Sequence, residues 1–285
     1  LKKAAPSAGN ITTVATTYTD DGSTDGSIVV SWEPDDFFTV TGNGTAVFKP
    51  DSINPDGEAA KFIVTQGSVS CSEANPCTAV YPEGKNPNDL SFLAGPQSAS
   101  TKNKYEYLKN YAVMSGTVEA VNDTEYSVHF EQRTALVDLN FKIGKMQNMQ
   151  GIGIMGPNQE TYYAKFTDKK KSSANAIVVV PPFQLNAGTN LTVFWVRQNG
   201  NGRDPILKTY TRPLKKTAQF EAGGYYALNI DSNYTLVVAS AASLTAYLPN
   251  QGTNSTLAAS LAKVAGTGNI TTVATTYTDD GSTDG

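Results

Sequence analysis

The 285-residue chain has one histidine, His129, and two cysteines, Cys71 and Cys77, so it has few of the side chains that most often ligate metals or act as bases near neutral pH. A Ser–His–Asp arrangement would have to be built around His129 alone. That residue lies between Val128 and Phe130 in a strand-like run, and no Gly-x-Ser-x-Gly elbow supplies a serine. Two cysteines with a remote histidine fall short of the four soft ligands a structural zinc requires. In Cys71-Ser-Glu-Ala-Asn-Pro-Cys77 the cysteines have only each other as partners, and a disulfide is expected. Charged residues make up 17% of the chain, below the roughly 25% of an average soluble protein. A formal net charge of −4 leaves no basic footprint for nucleic acid or an anionic membrane. No run approaches the roughly 18 apolar residues of a membrane helix and no secretory signal heads the chain, so a soluble, mature chain is expected.

What is present favours β structure. Hydrophobic residues at 39% and aromatics at 9% suffice for a core in one large or two ordinary domains. Short runs rich in Val, Ile, Thr, Tyr and Phe recur between clusters of Gly, Asn, Asp and Pro, as sandwich or barrel strands do. Strands are predicted at 27–32, 37–40, 45–48, 61–64, 77–81, 126–130, 135–143, 176–180, 191–196, 225–230 and 234–239. Helix signals are few. Tyr105, Leu108, Tyr111 and Ala112 could line one face of a helix within 100–116, and Leu257, Leu261 and Val264 one within 255–265. Turn residues at Val121-Asn-Asp123 suggest a domain boundary. The expected division is a leader and first strand (1–26), an N-terminal domain (27–122) completed by a strand at 10–18, a C-terminal domain (123–248), a linker (249–267) and a terminal segment (268–285).

That terminal segment repeats the start of the chain. Gly9–Gly26 and Gly268–Gly285 are the same eighteen letters, GNITTVATTYTDDGSTDG, offset by 268 − 9 = 259 residues. The absence of any substitution sets aside both chance and ordinary divergence. One unit of a tandem array, an engineered copy, and a filament subunit carrying a neighbour's strand all remain open, and all three point to assembly by strands. Asn269, Ile270, Thr271, Thr272, Val273, Ala274, Thr275, Thr276 and Tyr277 make one strand's length of β-forming residues, a candidate donor strand. Neither of its faces is strongly apolar.

Four motifs suggest chemistry. Gly151-Ile-Gly-Ile-Met-Gly156 satisfies GxGxxG but lacks a following helix, and it reads as a strand entering a turn. Asp21, Ser23 and Asp25 match positions one, three and five of a calcium loop, yet Trp32 stands where a bidentate carboxylate belongs. A polar hairpin of Asp-Gly turn residues explains the same letters, and no metal or cofactor is expected. Asp35 and Asp36 are the obvious acidic pair, but neighbours on a strand face opposite ways. Tyr162, Tyr163, Trp195, Tyr225 and Tyr226 could stack on sugars, although strand aromatics more often pack a core. No catalytic residue is assigned, and the chain is not expected to be an enzyme.

The run ITTVATTYTDDGSTDGSIVVSWEPDDFFTV at residues 11–40 resembles the opening of fimbrillins, the subunits of type V pili in Bacteroidales. YSVHFEQRTALVDLNFKI (126–143) is similar to the strand pair that opens their second domain, and AIVVVPPFQLNAGTNLTVFWV (176–196) with AQFEAGGYYALNI (218–230) to its closing strands. The resemblance implies an all-β chain of two tandem Greek-key, transthyretin-like β-sandwich domains with few short helices. It also implies export as a lipoprotein, a place in a surface fimbria, and assembly by strand exchange with neighbouring subunits after proteolytic removal of the first strand. Family maturation follows an arginine, whereas the first arginine here is Arg133. The resemblance therefore leaves three routes: cutting at a lysine such as Lys3, earlier removal of upstream residues, or retention of the first strand. The other reading is a β-sandwich adhesin of tandem repeats that binds a host glycan or protein receptor, or uses calcium at its loops.

Overall fold

The computed structural model describes residues 19–20, 28–29, 32–55, 59–99, 107–120, 126–142, 149–170, 173–197, 206–230 and 235–238. Among the described residues the regular structure is almost all strand, and the helical part is confined to short 3-10 turns. In chain order the strands are β1 (Thr19–Asp20), β2 (Ile28–Val29), β3 (Phe38–Ile53), β4 (Ala60–Ser70), β5 (Cys77–Tyr81), β6 (Gly95–Ala99), β7 (Met114–Ala120), β8 (Tyr126–Val128) and β9 (Glu131–Gln132). There follow β10 (Ala135–Phe141), β11 (Met149–Met155), β12 (Thr161–Lys170), β13 (Ala174–Val180), β14 (Phe183–Leu185), β15 (Asn190–Arg197), β16 (Ile206–Pro213), β17 (Ala218–Phe220), β18 (Tyr225–Ile230) and β19 (Thr235–Val238).

Two compact units divide the chain, and the division interleaves. Unit 1 holds the described residues within Leu1–Leu90 and Tyr105–Ala135, and unit 2 those within Ser91–Lys104 and Leu136–Gly285. The boundary expected at 121–123 falls inside unit 1, because the strands flanking it, β7 and β8, pair with each other at Val118 and Val128. The turn residues there mark a hairpin connection. Tyr126–Val128 accordingly belongs to unit 1, where the sequence had suggested the start of a second domain. In the described part of 100–116 the expected helix is a single 3-10 turn, Leu108–Asn110, with Leu108 buried in it and buried Tyr107 and Ala112 on either side. Strand β7 begins only four residues after that turn and takes up the rest of the span. The helix expected within 255–265 lies outside the described residues.

Unit 1 is built on the sheet β4-β3-β5-β7-β8, with β9 also paired to β7. The two strands expected at 37–40 and 45–48 are one, β3. Its first part pairs with β5 (Thr39↔Val80 to Thr41↔Thr78), and its remainder pairs with β4. The Gly42-Asn-Gly44 stretch, read as a turn, is instead a bend within the strand, and Gly44 has φ +100°, a conformation glycine alone takes without strain. How far β3 bends shows in its side chains. Phe38 and Phe48 stack with ring centroids 5.3 Å apart, whereas residues ten apart on a straight strand lie about 33 Å apart. The bend and two register shifts fold the strand over a core of Trp32, Phe38, Phe48, Phe62, Tyr81 and Phe130.

In unit 2 the six-stranded sheet β19-β16-β15-β11-β12-β6 packs through β11 and β12 against β13 of the sheet β13-β10-β18. The opening strand β10 and the late strand β18 run parallel, Leu136↔Tyr225 to Phe141↔Ile230. Within β13, Ala176 to Val180 form an unbroken apolar run because they are covered on both faces, and all five are buried. The edge strand β6 comes from the short segment between the two parts of unit 1, and it pairs parallel with β12, Tyr162↔Gly95 to Phe166↔Ala99.

Candidate functional site

The candidate donor strand Asn269–Tyr277 and the candidate calcium residues Asp21, Ser23 and Asp25 lie outside the described residues. The residues flanking that loop are described: β1 and β2 pair antiparallel, Thr19↔Val29 and Asp20↔Ile28. Six residues past the end of the N-terminal copy, the chain enters the core of unit 1 at Trp32.

Trp32 is 4% exposed and its ring meets Phe62, Phe130, Tyr81 and Phe38 at 4.9, 5.7, 5.7 and 6.2 Å. Its indole N–H has no acceptor among the described residues, and packing holds the ring. Next comes a turn, not the strand expected for Asp35 and Asp36: Pro34 and Asp35 occupy the turn, and Asp36 N–H donates to the Glu33 carbonyl at 3.1 Å. The buried Asp36 carboxylate accepts from Glu33 N–H at 2.7 Å and from the Tyr81 hydroxyl, on β5, at 2.9 Å. Lys109, in the 3-10 turn Leu108–Asn110, donates to Glu33 at 2.8 Å and to Asp35 at 3.1 Å. Partial burial works against its charge, but the hydrogen bonds and charges of Glu33 and Asp35 prevail, and its pKa is pushed up to about 12. The acidic pair thus divides its work: Asp36 closes the turn onto β5, and Asp35 takes part in an ion pair.

Cys71 and Cys77 form a disulfide that closes the loop between β4 and β5, with Cα atoms 5.3 Å apart. Cys77 is fully buried and lies against Gly42, where an added Cβ would overlap its Sγ. The bend in β3 and the disulfide therefore share one space. No pattern in the sequence marks this contact, since the two residues are thirty-five positions apart.

Gln97 on β6 was also not legible. It is 1% exposed, and its side-chain amide donates to the Val179 carbonyl at 2.7 Å and accepts from Val179 N–H at 2.9 Å. A side-chain amide here takes the place of a neighbouring strand's peptide on the outer edge of β13. On β10, Asp138 is 3% exposed and accepts from Tyr225 at 2.6 Å and Asn175 at 3.1 Å. Asn175 also bonds Asn140.

The remaining motifs are structural. Gly151–Gly156 is the end of β11 entering a turn closed by Gly156 N–H to the Glu160 carbonyl, as read from the sequence. Gly153 faces Tyr163 and Phe194 on its two neighbouring strands, and the Tyr162 carbonyl, Tyr163 Cβ and the Phe194 ring occupy the space a side chain would need. Of the aromatics that could have stacked on sugars, Tyr162, Tyr163 and Trp195 are buried. Trp195 donates to the Tyr210 hydroxyl at 3.1 Å, and burial raises the pKa of both Tyr162 and Tyr210. Tyr226 folds back over Gly224, and its hydroxyl accepts from Glu221 N–H at 2.8 Å. This tyrosine corner explains the Ala-Gly-Gly-Tyr-Tyr turn, where Gly224 leaves room for the ring. His129 is exposed, and among the described residues no group of three or more His, Cys, Asp or Glu is disposed to hold a metal.

The described residues define an all-β protein of two units, tied together within each unit by aromatic packing, one disulfide and side-chain bonds to the backbone. No protein-family model matches the sequence, and no curated protein does. Among solved structures, the chain is similar to a candidate cell adhesion protein of Bacteroides ovatus at 13% identity and a TM-score of 0.45, over 82% of this chain and 97% of that one. A candidate cell adhesion protein of Bacteroides fragilis is similar at 12% identity and a TM-score of 0.41, over 81% and 94%. A fimbrial protein of Bacteroides ovatus is similar at 10% identity and a TM-score of 0.32, over 80% of this chain and 49% of that one.

Proposed function

We propose that the chain is a structural, non-enzymatic subunit of a cell-surface fimbria, exported as a lipoprotein precursor, whose copies join by donating a β-strand to one another. In this reading the donor strand is Asn269–Tyr277, and the place it takes in a neighbour is the one expected for residues 10–18. The observation that carries this reading is the letter-for-letter duplication of an eighteen-residue, strand-forming segment at the two ends of an all-β chain. A sandwich that lacks one strand exposes both apolar surface and unpaired ladder groups, and a strand from another chain satisfies both. Because the segment's faces are only partly apolar, backbone pairing carries much of the gain, at about 0.5–1.5 kcal/mol net per hydrogen bond. Two identical strands for one place in each subunit give a chain of subunits, each filling the next.

The test compares the full chain with one ending at Thr267 by thermal unfolding, size exclusion and negative-stain microscopy. Loss of polymers, or conversion of a stable monomer into an unstable, self-associating one, supports strand donation. Unchanged melting and unchanged assembly refute it, since the second copy would then contribute nothing to either.

A further inference from the structure

Strand exchange sets a mechanical problem: the departing strand must leave without pulling the next residues out of the core. We infer that Trp32–Asp36, fastened by Tyr81 and Lys109, is the fixed post of the exchange site, the point at which unit 1 holds its own chain whichever copy of the strand lies upstream. The inference rests on the strand-donation reading and adds the residues that bound it.

Three fastenings meet within five residues. Trp32 is enclosed by four rings drawn from β3, β4, β5 and the chain after β8, so its removal would open the centre of unit 1. Asp36 locks its own turn and bonds Tyr81, 45 positions away. Lys109 grips Glu33 and Asp35 from 76 and 74 positions away. Peeling that starts at the N-terminus therefore meets nonlocal bonds to β5 and to the 107–111 turn before it reaches β3. The duplicated segment stops six residues short of the post, at Gly26, so the exchanged length and the fastened length do not overlap.

Limited proteolysis of the full chain, read by mass spectrometry, tests this. A chymotrypsin-type enzyme has Tyr18 upstream and Trp32 in the post, and an enzyme cutting before aspartate has Asp20, Asp21 and Asp25 upstream and Asp35 and Asp36 in the post. The expected result is cutting upstream at least roughly tenfold faster than in the post, as local opening free energies differ across a fold. The cut body should keep its near-ultraviolet circular dichroism. Lys109→Met and Tyr81→Phe should each raise cutting at Asp35 and Asp36 and leave cutting at Tyr18 unchanged. Equal cutting on both sides of Ser31, resistance of the upstream bonds, or collapse of the body on cutting at Tyr18 overturns the post. An excess of labelled peptide with the sequence of residues 268–280, added to the cut body of a chain ending at Thr267, which has no second copy of its own, separates the two ideas. Uptake supports donation, and no uptake by a body whose post resists cutting refutes donation instead.

Discussion

Replacing Gln97 by Met is expected to weaken unit 2 far more than a change of one amide to a thioether would suggest. The side-chain volume and straight-chain shape are kept, so little cavity forms. What is lost is both hydrogen bonds to Val179, whose N–H and C=O face away from β10 at a site where Gln97 is 1% and Val179 0% exposed. Each buried backbone group left unpaired costs about 1–3 kcal/mol, so the pair costs about 2–5 kcal/mol once some relaxation is allowed. The two tryptophans separate the units, because Trp32 lies in unit 1 and Trp195 in unit 2. In guanidinium titrations of the Trp32→Phe and Trp195→Phe backgrounds, the transition seen by Trp195 should move and that seen by Trp32 should stay. Gln97→Glu adds a pH test. Its carboxylate can accept from Val179 N–H but cannot donate to the carbonyl, and its protonated form can do both. Burial raises an acid's folded pKa above the unfolded value of about 4.3, so the stability this group contributes is present below that value and lost as pH rises. Gln97→Glu should therefore approach wild type near pH 4 and fall behind at pH 7. A shift below about 0.5 kcal/mol for Gln97→Met, within ordinary surface variation, would refute the argument that this amide closes the edge of β13.

Other expectations follow from the same contacts. Replacing both cysteines by alanine should lower stability by about 2 kcal/mol, the chain-entropy value for so short a loop, in the transition seen by Trp32. Gly42→Ala should cost about 1–3 kcal/mol by overlap with Cys77 Sγ, and much less when both cysteines are already alanine, a coupling that a double-mutant cycle measures. Tyr226→Phe, which removes the bond to Glu221 N–H, should cost about 0.5–1.5 kcal/mol in the Trp195 transition. For Lys109, a folded pKa of about 12 against an ordinary 10.5 means its contribution is complete below pH 10.5 and lost as pH rises through 12. The stability difference between wild type and Lys109→Met should stay constant from pH 7 to about 10 and shrink above pH 11, which thermal unfolding across pH would show.

The fold class was legible because strand periodicity is local: the runs at 77–81 and 225–230 match β5 and β18 residue for residue. Organisation was less legible, because a Gly/Asn cluster looks the same whether it ends a strand or bends one. Gly42-Asn-Gly44 bends β3, and only its pairing with β4 and β5 on either side of the bend distinguishes the two cases. The helical spacing of Tyr105, Leu108, Tyr111 and Ala112 misled for a related reason. Leu108 and Ala112 are buried, as a helix would bury them, but a single 3-10 turn followed by a strand brings them to the core as well. Segment membership was not legible at all. Ser91–Lys104 belongs to unit 2 because β6 pairs with β12 and Gln97 bonds Val179, 82 positions away, and neither contact leaves a periodic trace.

The same distinction separates what the candidate site showed in advance from what it did not. The duplicated segment was visible as letters because identity is a property of sequence alone. The post that would let such a strand be exchanged was not, because it depends on which distant residues meet. Asp35 and Asp36 looked like a pair for acid chemistry and serve as two clamps, since the turn at Pro34-Asp35 points one at Lys109 and the other at Tyr81. A strand can be passed between subunits only if the chain beside it is held by something other than that strand. In this chain the hold begins at Trp32, and the five aromatic rings and one lysine that provide it come from across the first 130 residues of the sequence.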